Sequence, residues 1–490
     1  MPNRIKNQGG VYTPSHIVCD MLDLLGWTAD VGILEKHIME NSCGDGAFLS
    51  EIVRRYCNAF LLIANNEPKR LACELSTYIH GIEKEPLEVE KCRANLDAVA
   101  AEFGIHGISW DIRCADALRV SEYDGKMDFV VGNPPYVRVH NLEDYKTVKK
   151  FSFARNGMTD LYIVFFEIGL NMLNEHGKMC YITPSSFLKS KSGTELRKYI
   201  QQTKYLTKVI DIGHSKVFDA TTYPMITLFD KYFDAERDLM GQASVGYKSY
   251  EEQDFSVVGY PDIFSDGKIS FDNTDNLQML AEIEECYKSQ GTREITVKNG
   301  FATLADNVFI GDFNIKDEIV IDILKASTGK WRKCIYPYYF NGMAMAEADV
   351  QKHPAAYEYL TKHKSKLLSR DIGKEEDWFL FGRNQGVKDT FRNKVAINTI
   401  IKDVNSIKLN KVPVGSGIYG GLYILSDYSF AELHQVLCCK DFINYIRMLK
   451  KYKSGGYYTF SSLDLEKYLV YKLKGKRNAK TQLGLFAKVG

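Results

Sequence analysis

Asp128-Phe129-Val130-Val131-Gly132-Asn133-Pro134-Pro135-Tyr136 is an apolar run that stops abruptly in an amide, two prolines and an aromatic ring. The unbroken apolar stretch predicts a strand covered on both faces, as in a parallel sheet. The prolines end it, since each fixes φ at roughly −65° and lacks an N–H for the ladder. A strand feeding this turn presents one carboxamide, one backbone carbonyl and one flat ring. Such a set suits a planar, amino-bearing substrate. Taken alone, such a stretch is more often than not a plain strand-ending turn, so the surrounding pattern has to decide.

On either side of it, helical and strand patterns alternate. Ile17, Val18, Met21, Leu24 and Leu25 give a helical spacing over Ser15–Leu25. Strands are predicted at His37–Glu40, Tyr78–Glu83, Ser109–Cys114, Met127–Gly132, Lys178–Thr183, Lys208–Ile212 and Pro224–Phe233. Helices are predicted through Phe48–Tyr56 and over Leu87–Val99, Leu161–Leu173 and Thr194–Gln202. This alternation predicts βαβ units: an α/β, doubly wound, mostly parallel seven-stranded Rossmann-like sheet. The final strands are joined by a loop, which permits an antiparallel edge strand. After about Phe233 the pattern gives way to short strands, aromatic-rich loops and helices at Leu277–Tyr287 and Phe430–Lys450. Two domains are therefore expected, 1–238 and an α+β domain over 239–490, as a chain of 490 residues also suggests.

With 45% hydrophobic and 26% charged residues and no apolar run long enough to span a bilayer, a soluble protein without membrane association is expected. Residues 1–6 lack the apolar core of a signal peptide. The eleven cysteines form no CxxC pair and have no histidine at ligand spacing, so no metal is implied; buried thiols in a reducing cytoplasm are expected. A net charge of +1 argues against a protein that coats nucleic acid by charge alone. Basic residues nonetheless recur between Arg447 and Lys488 beside aromatics, as on a polyanion-facing surface.

In doubly wound sheets, ligands sit beyond the carboxyl ends of the strands, and three such ends carry useful groups. Glu40-Asn41-Ser42-Cys43-Gly44-Asp45-Gly46 pairs a carboxylate with a turn whose glycines allow close backbone approach. Leu49 occupies the place of a third glycine, which disfavours a dinucleotide's pyrophosphate. Glu83 ends the next strand, where it can accept from two ribose hydroxyls, and Asp116 follows, placed to accept from an adenine amine. A nucleoside without phosphate fits this order, and S-adenosyl-L-methionine is such a compound. Thr13, with Pro14 opening the helix, reads as an N-cap that also approaches the cofactor.

The ordered set Gly10–Pro14, Glu40–Phe48, Gly81–Glu83, Asp116 and Asn133–Tyr136 resembles the gamma class of N6-adenine DNA methyltransferases, in the TaqI-type group of restriction–modification enzymes. Asp160-Leu161-Tyr162, Gly177–Phe187 and Val217-Phe218 extend the likeness over the first half. The resemblance implies that Asn133, Pro134, Pro135, Tyr136 and Phe218 form the catalytic set. It further implies that Tyr12, Thr13, Pro14, Glu40, Ser42, Gly44, Gly46, Glu83, Asp116 and Asn133 bind S-adenosyl-L-methionine, with Glu40 and Ser42 near its methionine moiety. The chain departs from the family at Asn41, where proline is usual, and at Lys84, where an apolar residue commonly packs on the cofactor's adenine. More loosely, 300–306, 336–338, 378–385 and 452–458 resemble the group's target-recognition domain. This points to Arg383, Asn384 and Gln385 for base edges and to Lys453, Ser454, Gly455, Gly456 and Tyr457 for the DNA backbone.

The resemblance implies methyl transfer to N6 of a flipped-out adenine in a short sequence of double-stranded DNA, protecting host DNA. A cognate restriction endonuclease would act separately, because the methyltransferase motifs begin near residue 10. RNA adenine and protein glutamine methylation share the Asn-Pro-Pro-Tyr chemistry and stay open as alternatives, as does a catalytically decayed DNA-specificity module. The motif order favours adenine over cytosine N4.

Overall fold

The computed structural model describes residues 13–64, 67–139, 145–156, 159–213, 223–232, 243–289 and 294–473. The chain divides into two compact units, Met1–Gln278 and Met279–Gly490.

The first unit is built on one nine-stranded sheet. Its strands are β1 (Ile38–Glu40), β2 (Ile79–Glu83), β3 (Asp111–Cys114), β4 (Met127–Gly132), β5 (Leu173–Pro184), β6 (Leu206–Asp211), β7 (Pro224–Asp230), β8 (Ser244–Ser249) and β9 (Ser256–Gly259). They lie in the order β3-β2-β1-β4-β5-β7-β6-β8-β9. From β3 to β5 all neighbours are parallel. β7 runs antiparallel between β5 and β6, β8 is parallel to β6, and β9 turns back on β8.

Three expectations are corrected here. The sheet has nine strands, not seven. Its loop-joined antiparallel strand β7 is interior, with β9 at the edge. The division expected after residue 238 falls instead after Gln278. β7 is interior because it pairs with both β5 and β6. The extra strands and the later division follow from the outer edge of β6, whose N–H and C=O groups need partners that 244–249 supply, with 256–259 pairing on beyond.

Successive strand residues serve opposite faces. Val130 and Tyr181 join Leu161, Phe166 and Leu196 in one core, while Val131 and Cys180 join Ile17, Phe48, Ile52 and Leu96 in the other. This double burial is why β4 reads as an unbroken apolar run. The helices over the second face are α1 (Ser15–Leu25), α2 (Ala47–Leu61), α3 (Pro68–Tyr78) and α4 (Pro86–Glu102); α5 (Leu161–Met172) and α6 (Thr194–Thr203) cover the first. α3 was not anticipated, because its low apolar content, with only Leu71, Glu74 and Leu75 buried, leaves little periodic signal. α1 begins on Pro14 as its N-cap with no side-chain cap, so Thr13 is not the capping residue expected.

The second unit is α+β. One four-stranded sheet joins Ile295–Asn299, Leu422–Ser426, Lys394–Ile397 and Leu409–Val412. A second joins Ile310–Gly311, Lys330–Ile335, Val320–Lys325 and Gly417–Tyr419, and a three-stranded sheet joins Ile400–Ile401, Tyr457–Thr459 and Tyr452–Lys453. The helix expected over Phe430–Lys450 is broken into Phe430–Leu437 and Lys440–Met448, since Cys439 is extended (φ −142°, ψ 165°). Of the thiols expected to be buried, Cys73 and Cys114 are exposed. Among the described residues no helix is long and apolar enough to cross a membrane.

Candidate active site

Parallel pairing places the carboxyl ends of β1, β2, β3, β4 and β5 side by side, and with them the candidate residues. Glu40 is in register with Gly81, Glu83 with Cys114, and Gly132 with Tyr181. The strand ends are close: a Cβ added to Gly132 would stand 3.6 Å from Glu40 Cγ and 3.9 Å from both Ser42 Oγ and Tyr181 Cε1. Immediately after Gly132, Asn133 Nδ2 donates to Thr13 Oγ1 at 3.1 Å. The hydroxyl expected to cap α1 thus accepts from the Asn133 amide instead. Thr13 is buried, and its bond orients the carboxamide across 120 residues of chain.

The ring of the tetrapeptide is equally fixed. Tyr136 donates its hydroxyl to the Ile182 carbonyl at 3.1 Å and meets Tyr162 edge to face, 6.3 Å between centroids. Tyr162 in turn shares a 2.8 Å hydrogen bond with Ser186. Burial, then the neighbouring Tyr162, pushes the Tyr136 phenol far up. Pro134 is buried, and the chain beyond pairs with the start of α5 through Leu161 N–H to Val137 O at 2.7 Å.

The glycine turn is shaped by one contact in particular. Gly46 has φ 86°, and a Cβ there would lie 2.7 Å from Cys92 Sγ, so both conformation and space exclude a side chain. Gly44 N–H donates to Glu83 Oε2 at 2.9 Å; the other Glu83 oxygen accepts from the N–H groups of Lys84 and Glu85. Asp116 caps the short helical turn Ala117–Arg119 through Leu118 N–H and takes an ion pair from Lys84 at 3.1 Å. Lys84, the departure from the family pattern, is therefore a partner of the acid expected to read the cofactor's adenine.

Glu40 is 3% exposed, and burial, reinforced by Cys92 and Asp45, holds its carboxyl well above the ordinary range against the pull of the Leu49 N–H. Glu40 Oε2, Asn41 Nδ2 and Ser42 Oγ are buried without a hydrogen-bond partner among the described residues. Three consecutive residues left unsatisfied are what a site built for a polar ligand presents, because each such group costs about 1–3 kcal/mol if nothing bonds to it. Acceptors and donors side by side fit the amino-acid end of S-adenosyl-L-methionine. Tyr12 and Phe218 lie outside the described residues.

Sequence reasoning passed over Tyr181, whose hydroxyl donates to Asn41 Oδ1 at 2.9 Å, and Ile182, whose carbonyl holds Tyr136. No local signal marks either; both act through partners distant in sequence.

In the second unit, much of the resemblance to a recognition domain turns out to be core. Phe301 stacks on Tyr336 at 5.8 Å and packs against Phe381, and Trp378 and Tyr338 are buried. Arg370 ties the segment by donating to the carbonyls of Thr303, Leu380 and Trp378. Arg383, Asn384 and Gln385 are exposed on the turn that follows, although Gln385 Nε2 donates to the Gly300 carbonyl at 3.0 Å. Asn384 and Gln385 line a cavity of about 430 Å³ with Lys298, Asn299, Lys388, Asp389 and Ser462. Lys298, Asn299, Lys388 and Ser462 were missed as candidates. Lys453, Ser454, Gly455 and Tyr457 are exposed, with Gly456 half-buried and both glycines at positive φ (76° and 78°). A Cβ on Gly456 would lie 3.8 Å from Lys402 Nζ, so that exposed lysine flanks the loop.

Residues 60–218, which include Glu83, Asp116 and the Asn133–Tyr136 tetrapeptide, match the Eco57I restriction-modification methylase family. Over that segment the chain resembles restriction–modification methyltransferases. It is 27% identical over 417 residues to the type II methyltransferase M.BstVI of Geobacillus stearothermophilus, covering 76% of this chain and 73% of that one. Against M.PaeR7I of Pseudomonas aeruginosa the identity is 24%, covering 76% and 70%. In fold, the chain is similar to the type IIL restriction-modification enzyme MmeI in complex with DNA (TM-score 0.60, 12% identity, 92% of this chain). It is also similar to a nuclease-deletion mutant of the type ISP enzyme LlaGI with a DNA substrate mimic (TM-score 0.55, 12% identity, 95% of this chain). The chain spans 63% and 54% of those two enzymes.

Proposed function

We propose that this methyltransferase transfers the methyl group of S-adenosyl-L-methionine to N6 of an adenine rotated out of double-stranded DNA, within a short recognition sequence. The observation that carries the reading is the Asn133–Tyr136 turn held at the carboxyl end of β4 beside the unsatisfied polar atoms of Glu40, Asn41 and Ser42. When bound, the cofactor supplies an activated methyl group on sulfur. The exocyclic nitrogen of adenine is a poor nucleophile, because its lone pair is delocalised into the ring. Asn133 Oδ1 and the Pro134 carbonyl accept its two hydrogens and draw the nitrogen toward tetrahedral geometry. Tyr136, locked by Ile182 and Tyr162, gives the flipped base a ring to stack on and offsets part of the few kcal/mol that unstacking costs. The remaining contribution is positioning.

Glu40 and Ser42 would hold the amino-acid end of the cofactor, Glu83 the ribose, and Asp116 its adenine amine once Lys84 gives way. Amide and cationic side chains around the cavity of the second unit favour a nucleic-acid substrate over a protein glutamine. The test is to incubate the purified protein with unmethylated genomic DNA and S-adenosyl-L-methionine, then sequence single molecules for modified bases. N6-methyladenine at one recurring short sequence is expected. Unmodified DNA from a protein that binds the cofactor would overturn the DNA reading in favour of RNA or protein.

A further inference from the structure

The asparagine that replaces the family's usual proline is placed to do something the proline could not. Asn41 is 1% exposed, directly after β1 and between Glu40 and Ser42. Its Oδ1 accepts from the Tyr181 hydroxyl at 2.9 Å. Tyr181 has no freedom to release it: the ring is fully buried, packs edge to face on Phe166 at 5.6 Å, and its hydroxyl fills the space where a Cβ on Gly169 would lie, 2.5 Å away. With the oxygen committed, the orientation of the amide is set, and its NH2 group, a double donor, is buried without a partner among the described residues. Beside it stand an unpartnered carboxyl oxygen of Glu40 and an unpartnered hydroxyl of Ser42.

An amino acid brings an ammonium and a carboxylate. Glu40 suits the ammonium, and the carboxylate needs hydrogen-bond donors. From this juxtaposition we infer that Asn41 Nδ2 donates to the carboxylate of the cofactor's methionine moiety, with Tyr181 as the positioning residue that aims it. The inference rests on S-adenosyl-L-methionine being the cofactor.

The test is calorimetric and needs no turnover. S-adenosylhomocysteine carries the amino-acid end; 5′-methylthioadenosine lacks it. Asn41→Ala should bind S-adenosylhomocysteine about 10- to 100-fold more weakly, as loss of a hydrogen bond to a charged group implies, while its affinity for 5′-methylthioadenosine stays within about 2-fold. Asn41→Asp, which keeps the oxygen for Tyr181 and replaces the donor by an acceptor, should show the same split; it serves where Asn41→Ala does not fold. Equal losses for both ligands, or no loss for either, would overturn the inference. A wild-type protein that binds neither ligand would overturn the cofactor assignment itself, and this inference with it.

Discussion

The Asn133 carboxamide is oriented by its bond to Thr13 Oγ1, and its proposed role can be tested at the scale of that one residue. Thr13 takes one hydrogen of its NH2 group, and Asn133→Ala is expected to abolish methyl transfer while cofactor affinity, read by calorimetry, changes little. Full turnover by that variant would refute the mechanism. Tyr181 makes a stability prediction at the same scale. Tyr181→Phe leaves a buried Asn41 oxygen without its donor, so urea denaturation should show a loss of about 1–3 kcal/mol. Gly169→Ala should cost a similar ~1–3 kcal/mol for the opposite reason, since its methyl would enter the space of the Tyr181 hydroxyl.

Elements are tied together at the amino ends of the strands, away from the site. His37, just ahead of β1, shares a 2.8 Å hydrogen bond with His80 of β2, and His80 Nδ1 bonds Asp111 of β3 at 2.7 Å. Tyr123 donates to the same Asp111 oxygen. Burial raises the Asp111 carboxyl, but the bonds from His80 and Tyr123 outweigh it and bring it down to about 2. A depressed carboxylate contributes stability above its unfolded value, near 3.8, and loses it as pH falls toward 2. Burial and His80 lower the His37 pKa, so the unfolded chain takes up that proton first and stability also declines below about 6.5. Circular dichroism against pH should therefore show a flatter acid limb between about pH 4 and 2 for Asp111→Asn. An acid limb unchanged from wild type would remove the network from the account.

At the scale of the whole molecule, a net charge of +1 means that any hold on DNA comes from local clusters. The Gly455-Gly456 turn with Lys453 and Lys402 is a basic cluster that we propose for this role. Replacing either lysine by alanine should weaken binding evenly across sequences and lower the slope of log Kd against log salt by about 1. Asn384→Ala and Lys298→Ala, in the cavity, should instead alter which sequences are methylated, read by sequencing the modified DNA. Lys298 also pairs with buried Asp389, at 2.7 Å, so its replacement carries a stability cost that a melting curve separates from specificity.

The Asn-Pro-Pro-Tyr turn, the acids at successive strand ends and the α/β alternation were legible because each is a local pattern: an apolar run stopped by prolines, a carboxylate closing a strand, a period that switches between strand and helix. The same locality explains what could not be read. The partner of Thr13 lies 120 residues away, that of Asn41 lies 140 away, and β8 joins the sheet only because β6 offers it an open edge. Aromatics that resemble a recognition surface proved to be core, since a sequence shows that a ring is present and not which side of it is covered. Chain-local chemistry determined the kind of site this protein carries. Which atoms are held, and which are left waiting for a ligand, was decided by contacts that form only when distant strands are brought into register.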